Sequence, residues 1–182
     1  SVVLKTEDFE KNIKTLNLIK AAKKDPWAFG ELYKIYVEQV FRYLYSRTRN
    51  LQEAEDATAQ TFLAAFESIN TLRQDKNFVP WLFGIARNKA IDQIRKREHS
   101  LNIEDSFKVS EDRDSLSQVI QTEQLTTLSK LILSLPEKDR ELLRLRFLGE
   151  LSYQEIAHLL HRNKEAVKKS IYRLLARLQN QM

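Results

Sequence analysis

Cysteine is absent from the 182-residue chain. Disulfide staples, thiolate nucleophiles and cysteine-based zinc sites are therefore excluded, and a reducing cytosolic setting is the expectation. Glycine and proline are nearly as scarce, at three of each. Obligatory chain breaks are few, and the glycine patterns of phosphate-binding loops and dinucleotide folds have no residues to form them. Histidine occurs only at His99, His158 and His161. The last two stand three apart, but no Cys or acidic trio with ligand spacing joins them, so neither a metal site nor a cofactor is expected. No apolar run approaches the roughly 20 residues that a membrane span needs, and the first residues lack the apolar core of a signal peptide. These shortages together predict a cytoplasmic, non-enzymatic protein without membrane insertion.

What the chain does have is helix-forming sequence and positive charge. Long stretches rich in Leu, Ala, Glu, Lys and Arg carry a three-to-four-residue apolar period, which predicts an all-α protein. Lys and Arg number 30 against 25 Asp and Glu, giving a formal net charge of +5 and a pI near 9.3. Such a balance suits an anionic partner, either nucleic acid or a membrane surface.

Asp25-Pro26 is a helix-start signal, followed by Phe29, Leu32, Tyr33, Tyr36, Val40 and Leu44 on one face. A second helix from about Gln52 places Ala54, Thr58, Phe62, Ala65, Phe66 and Ile69 inward and Glu53, Glu55, Asp56 and Gln60 outward. A third starts near Val79-Pro80, with Leu82, Ile85, Ala86, Ala90 and Ile94 as its buried stripe. Periodicity stops from His99 to Ser117, where Glu104, Asp105, Glu111, Asp112 and Asp114 outnumber Lys108 and Arg113, as in a linker. It resumes from about Val119 through Leu125, Leu128, Leu131, Ile132 and Leu135. Pro136 then breaks the chain before a helix through Leu142, Leu143 and Phe147, for which Gly149 is the expected C-terminal cap.

Leu151 to Leu178 reads as helix, tight turn, helix. Ser152 and Glu155 form a capping box, Ile156, Ala157, Leu159 and Leu160 point inward, and Asn163 can cap the second helix. There Val167, Ile171, Leu174 and Leu178 form one narrow apolar stripe. Glu165, Lys169, Tyr172 and Arg173 lie opposite, flanked by Arg162, Lys164 and Lys168. A helix anchored on its apolar side with its basic side free fits the major groove, where Arg and Lys reach guanine edges and phosphates. The bland alternative is a helical hairpin with solvated charges.

Two further surfaces stand out. On the third helix Asn88, Asp92 and Arg95 share a face, surrounded by Arg87, Lys89, Lys96 and Arg97, with Phe78, Trp81 and Phe83 at its start. Basic residues interleaved with aromatics suit DNA whose bases are partly unstacked, although Phe78 and Trp81 are equally readable as core. The acidic group Glu53, Glu55 and Asp56 suits a basic protein partner, or simply offsets the helix dipole.

At these residues the chain resembles the extracytoplasmic-function branch of bacterial sigma factors. The resemblance spans Leu18 to Leu178 and rests on AFGELYKIY (28–36), EAEDATAQTFLAAF (53–66), FVPWLFGIARNKAIDQIRKR (78–97), LPEKDRELLRLRFLGELSYQEIAHLL (135–160) and NKEAVKKSIYRLLARL (163–178). It implies two small helical domains joined by a flexible acidic linker. The chain then divides into an N-terminal extension (1–15), a sigma region 2-like domain (16–98), the linker (99–118) and a region 4-like helix-turn-helix domain (119–182).

The implied partners are core RNA polymerase and promoter DNA, with an anti-sigma factor as a further partner that no residue here identifies. The implied polymerase-binding residues are Glu53, Glu55, Asp56, Gln60 and Phe62. Phe78, Arg87, Asn88, Lys89, Asp92, Arg95 and Lys96, with the loop from about Leu72 to Phe78, would read and open the minus-10 element. Arg162, Asn163, Lys164, Glu165, Lys168, Lys169, Tyr172 and Arg173 would engage the minus-35 duplex. Two departures from the family pattern stand out. Ala59-Gln60 replaces the usual Gln and acidic residue, and His161-Arg162 replaces Gly-Ile in the turn. The rival from another class, a helix-turn-helix regulator acting alone, would account for 119–178 but leave the aromatic-basic helix and the acidic face idle.

Overall fold

The computed structural model describes the backbone of residues 2–103 and 123–182, and the side chains of 6–101 and 126–182. Most of the expected linker, 104–118, lies outside the described residues. Every regular element among the described residues is helical, and the chain divides into two compact units, Ser1–Gln93 and Ile94–Met182.

In the first unit, helix α1 (Val2–Ala22) ends in a tight turn and α2 (Pro26–Thr48) starts at once. The start is fixed by Asp25, whose carboxylate accepts the Trp27 N–H at 3.0 Å, with Pro26 in the first turn where its missing N–H costs nothing. α2 ends on Arg49, which adopts a left-handed conformation (φ 54°) and returns its N–H to the Tyr45 carbonyl. The next residue, Asn50, already caps α3 (Leu51–Ser68) by accepting the Glu53 N–H. A connection of two residues makes α2 and α3 antiparallel neighbours, joined by edge-on contacts of Phe29 with Phe66 and Tyr33 with Phe62. Two short 3-10 turns, Ile69–Thr71 and Asp75–Asn77, lead into α4 (Phe78–Ile103). α4 packs on α2 through Phe78 against Tyr36 and Phe83 against Tyr43.

The core of this unit is Leu32, Val40, Tyr43, Leu44, Ala54, Ala57, Leu82, Phe83, Ala86 and Ala90, all fully buried. The alanines on α3 and α4 let the helices approach closely while the aromatics of α2 fill the space between.

After the last turns of α4, the second unit contains α5 (Glu123–Ser134), α6 (Glu137–Leu143), a π-type turn (Arg144–Leu148), α7 (Tyr153–Leu160) and α8 (Lys164–Gln181). Its core holds Leu142, Leu145, Leu151, Ile156, Val167 and Ile171. The α7 capping box forms in both directions: Ser152 Oγ accepts the Glu155 N–H at 3.1 Å and Glu155 Oε2 accepts the Ser152 N–H at 2.9 Å. Glu141 is buried at 5% exposure within an acid–base cluster, where Arg144 Nη1 lies 2.5 Å from Glu137 and 3.4 Å from Glu141.

Four sequence expectations change. Residues 1–25, whose mixture of Lys with Asp and Glu allows one short helix with Ile13, Leu16 and Ile19 on a face, hold a 21-residue helix, α1. α4 continues past His99 to Ile103, because intrinsic helix preference carries a backbone beyond its last buried contact. The helix through Leu142 ends at Leu143, and Phe147 falls in the wider π-type turn and stands exposed. Gly149 keeps right-handed angles (φ −77°), and the left-handed position is taken by Glu150 (φ 60°).

Candidate nucleic-acid interface

α8 is built as a two-sided bar. Val167, Ile171, Leu174 and Leu178 are buried, while Lys164, Glu165, Lys169, Tyr172 and Arg173 are exposed. At 100° per residue the second set lies across the helix from the first, apart from Lys164 on its flank. Asn163 Oδ1 accepts the N–H groups of Glu165 (2.8 Å) and Ala166 (3.3 Å), so its side chain serves the helix end itself. The lysines beside that end add to its partial positive charge, an arrangement that favours phosphate.

The turn into α8 closes with two bonds, Arg162 N–H to the Ala157 carbonyl (2.9 Å) and His161 N–H to that of His158 (3.4 Å). His161 sits between them in a left-handed conformation at φ 52°, ψ 47°, the position that most often takes glycine. Histidine tolerates this region better than most residues. Arg162 donates to Ser170 Oγ at 3.1 Å, which holds its guanidinium over the first two turns of α8. Lys168 is half-buried, with Nζ 5.9 Å from the Tyr172 ring centre. Tyr172 in turn leans on Tyr153 (6.3 Å), which carries Arg146 over its face at 4.5 Å. Tyr153 and Arg146 were not singled out from sequence; a tyrosine next to the capping-box serine was the available signal.

On α4, Asn88, Asp92, Arg95 and Lys96 are exposed, and Arg87 and Lys89 are half-buried. Phe78 is different: at 1% exposure, wedged against Tyr36 and Trp81, it cannot meet a base in this structure. Phe83 is likewise core, and Trp81 is half-buried. The loop ahead of α4 instead exposes Arg73, Gln74 and Lys76 between the buried Leu72 and Phe78.

α3 exposes Glu55, Asp56 and Gln60 and half-buries Glu53. Phe62 is 5% exposed and packs edge-on against Tyr33, so it lies in the core, where its helical period puts it, and not among the exposed residues of the face that the resemblance assigns to polymerase. The exposed apolar residue beside the acids is Leu63 at 58%, which follows Asp56 and Gln60 along one face, with Phe66 at 45% next to it. Steps of four from Asp56 to Gln60 and three from Gln60 to Leu63 were the signal for Leu63.

Residues 32–100 match the family described as sigma-70 region 2, and residues 125–178 that described as sigma-70 region 4. The ECF RNA polymerase sigma factor SigM of Bacillus subtilis is 34% identical over 149 residues, covering 81% of this chain and 91% of SigM. The chain belongs to the extracytoplasmic-function sigma factors. SigW of the same organism is 31% identical over 176 residues, 84% of this sigma factor and 94% of SigW. In fold the sigma factor also resembles RpoE of Bartonella quintana, solved with the anti-sigma factor NepR. That likeness has a TM-score of 0.60 and 21% identity over 84% of this chain and 95% of the other. The protein is thus an RNA polymerase sigma factor with region 2 in residues 32–100 and region 4 in residues 125–178.

Proposed function

We propose that this sigma factor reads the minus-35 element with α8 and the minus-10 element with α4 and the loop before it, while α3 docks on core polymerase. The observation that carries this reading is the two-sidedness of α8, whose apolar stripe is buried while Glu165, Lys169, Tyr172 and Arg173 stand exposed on the opposite face. Lys169 and Arg173, on the face opposite the core, are the base readers, with Tyr172 and Glu165 beside them. Arg162, Lys164 and Lys168, near the start of the helix, take phosphates, and Asn163 contributes by fixing the helix end.

On α4, Asn88, Asp92 and Arg95 face the DNA, with Arg87, Lys89 and Lys96 along the phosphates. Glu55, Asp56, Gln60 and Leu63 form the polymerase-binding face, with Glu53 at its edge; an acidic rim around an apolar residue suits a basic partner. The protein acts in the cytoplasm, is not an enzyme, and is restrained by an anti-sigma factor, as the Bartonella relative is found with one.

Energetics divide the work of opening DNA. Each base-pair step costs about 1.4 kcal/mol to open, and one base captured on an aromatic ring returns about 1–3 kcal/mol. With Phe78 and Phe83 buried and only Trp81 half-accessible, this chain by itself offsets few steps, and polymerase supplies the rest. Transcription of a promoter library with added core polymerase tests the whole reading. Start sites should be redirected to promoters sharing two elements, and Lys169→Ala or Arg173→Ala should relax preference at the upstream one only. A chain that redirects core polymerase to no start site would refute it.

A further inference from the structure

Lys23 occupies the turn between α1 and α2, far in sequence from the loop that precedes α4, yet its ammonium makes two bonds to that loop. Nζ donates to the carbonyl oxygen of Leu72 at 3.0 Å and lies 2.7 Å from Asp75 Oδ1. Both side chains of the pair are largely shielded, at 24% and 17% exposure. The two acceptors stand on either side of Arg73 and Gln74, so one cation pins both ends of an exposed dipeptide. The lysine is itself held on rigid elements. The N–H groups of Lys24 and Asp25 both return to the Ala21 carbonyl at the end of α1, and Asp25 caps α2. The far side of the loop is anchored by the buried Leu72 and Phe78.

From this geometry we infer that Lys23 is a positioning residue for promoter reading: it sets the conformation in which Arg73 and Gln74 are presented to the minus-10 bases. The inference rests on the proposed role of that loop in reading the minus-10 element. A reading side chain must be held to a fraction of an ångström by its supporting shell. A loop tied at two points by one partly buried charge is held that way, whereas an untied loop would sample other conformations at the expense of base selectivity.

The test uses the full chain with core polymerase and promoters bearing single-base changes in either element. For Lys23→Ala, the output ratio of cognate to altered minus-10 promoters should fall at least about fivefold, a sizeable part of one base contact, with the minus-35 ratio changed less than about twofold. Asp75→Ala should lower the ratio as well, and adding it to Lys23→Ala should change little more, because the ion pair it removes is already gone. Lys23→Arg, which keeps the ion pair, should restore most of the ratio. Should Lys23→Ala fail to fold, Asp75→Asn removes the charge with little change in shape and carries the same expectation.

A uniform loss on all promoters that tracks a lower melting temperature would overturn the inference, since a merely structural tie acts that way. An undiminished minus-10 ratio in Lys23→Ala overturns it too. Arg73→Ala and Gln74→Ala tell the two failures apart. If these lower the minus-10 ratio while Lys23→Ala does not, only the positioning role is lost. If they also leave it intact, the loop does not read the element and both ideas fall.

Discussion

Asn163 precedes a helix proposed to enter DNA, and its carboxamide oxygen already accepts two N–H groups of that helix, at 2.8 and 3.3 Å. Replacing it with alanine removes the single oxygen that accepts both N–H groups at an exposed helix start, and such a loss typically costs about 1 kcal/mol. That corresponds to about a fivefold faster exchange of the α8 amides if they open locally. Asn163→Ser restores an acceptor of similar reach and should return the exchange rate to within about twofold of the original. Asn163→Asp should do so as well, but its charge would face phosphate, so binding to a minus-35 duplex should weaken while the helix remains protected.

Hydrogen exchange resolved by peptide is the assay of choice for the stability arm. Trp27 and Trp81 both lie in the first unit, and tryptophan fluorescence would miss the second. Duplex binding by the holoenzyme supplies the other arm. Serine destabilising α8 as much as alanine would refute the capping argument. Equal DNA affinity for aspartate and asparagine would refute the placing of phosphate at this helix end.

Four further outcomes follow from particular contacts. His161→Gly relieves a left-handed residue costing about 1–2 kcal/mol, offset by the chain entropy of glycine. It should therefore stabilise the second unit by about 0.5 kcal/mol in urea titrations; destabilisation would contradict the strain argument. Arg144→Ala withdraws a guanidinium from the buried carboxylate of Glu141 and should cost about 3 kcal/mol, measured by the same titration, whereas a loss below about 0.5 kcal/mol would show the cluster to be weakly coupled. Phe62→Ala empties a core position and should cost about 3–5 kcal/mol in thermal melts. Leu63→Ala should leave stability within about 0.5 kcal/mol yet weaken core-polymerase capture, and unchanged capture would remove Leu63 from the docking face.

The parts of this molecule written locally were legible in its sequence. Asp25, Ser152 with Glu155, and Asn163 each cap the helix that follows through neighbours two or three residues away. The apolar stripe of α8 likewise follows from spacing alone. Periodicity fixes the direction in which a side chain leaves its helix. It does not fix how much of the protein lies in that direction.

Depth was therefore decided only by the packed structure. Phe62 and Phe66 share one side of α3, yet Tyr33 covers the first while the second stays half in solvent. Phe78 stood as readily for a base-capturing ring as for core until Tyr36 and Trp81 closed around it. The left-handed position after the π-type turn went to Glu150 although a glycine stood next to it. The Lys23 tie to Leu72 and Asp75 spans 49 positions to the first of these, and no local pattern could announce it. Caps and periods are set by a few adjoining residues, whereas burial and charge pairing depend on which distant segment folds against them; the chain encodes the first directly and the second only through the completed fold.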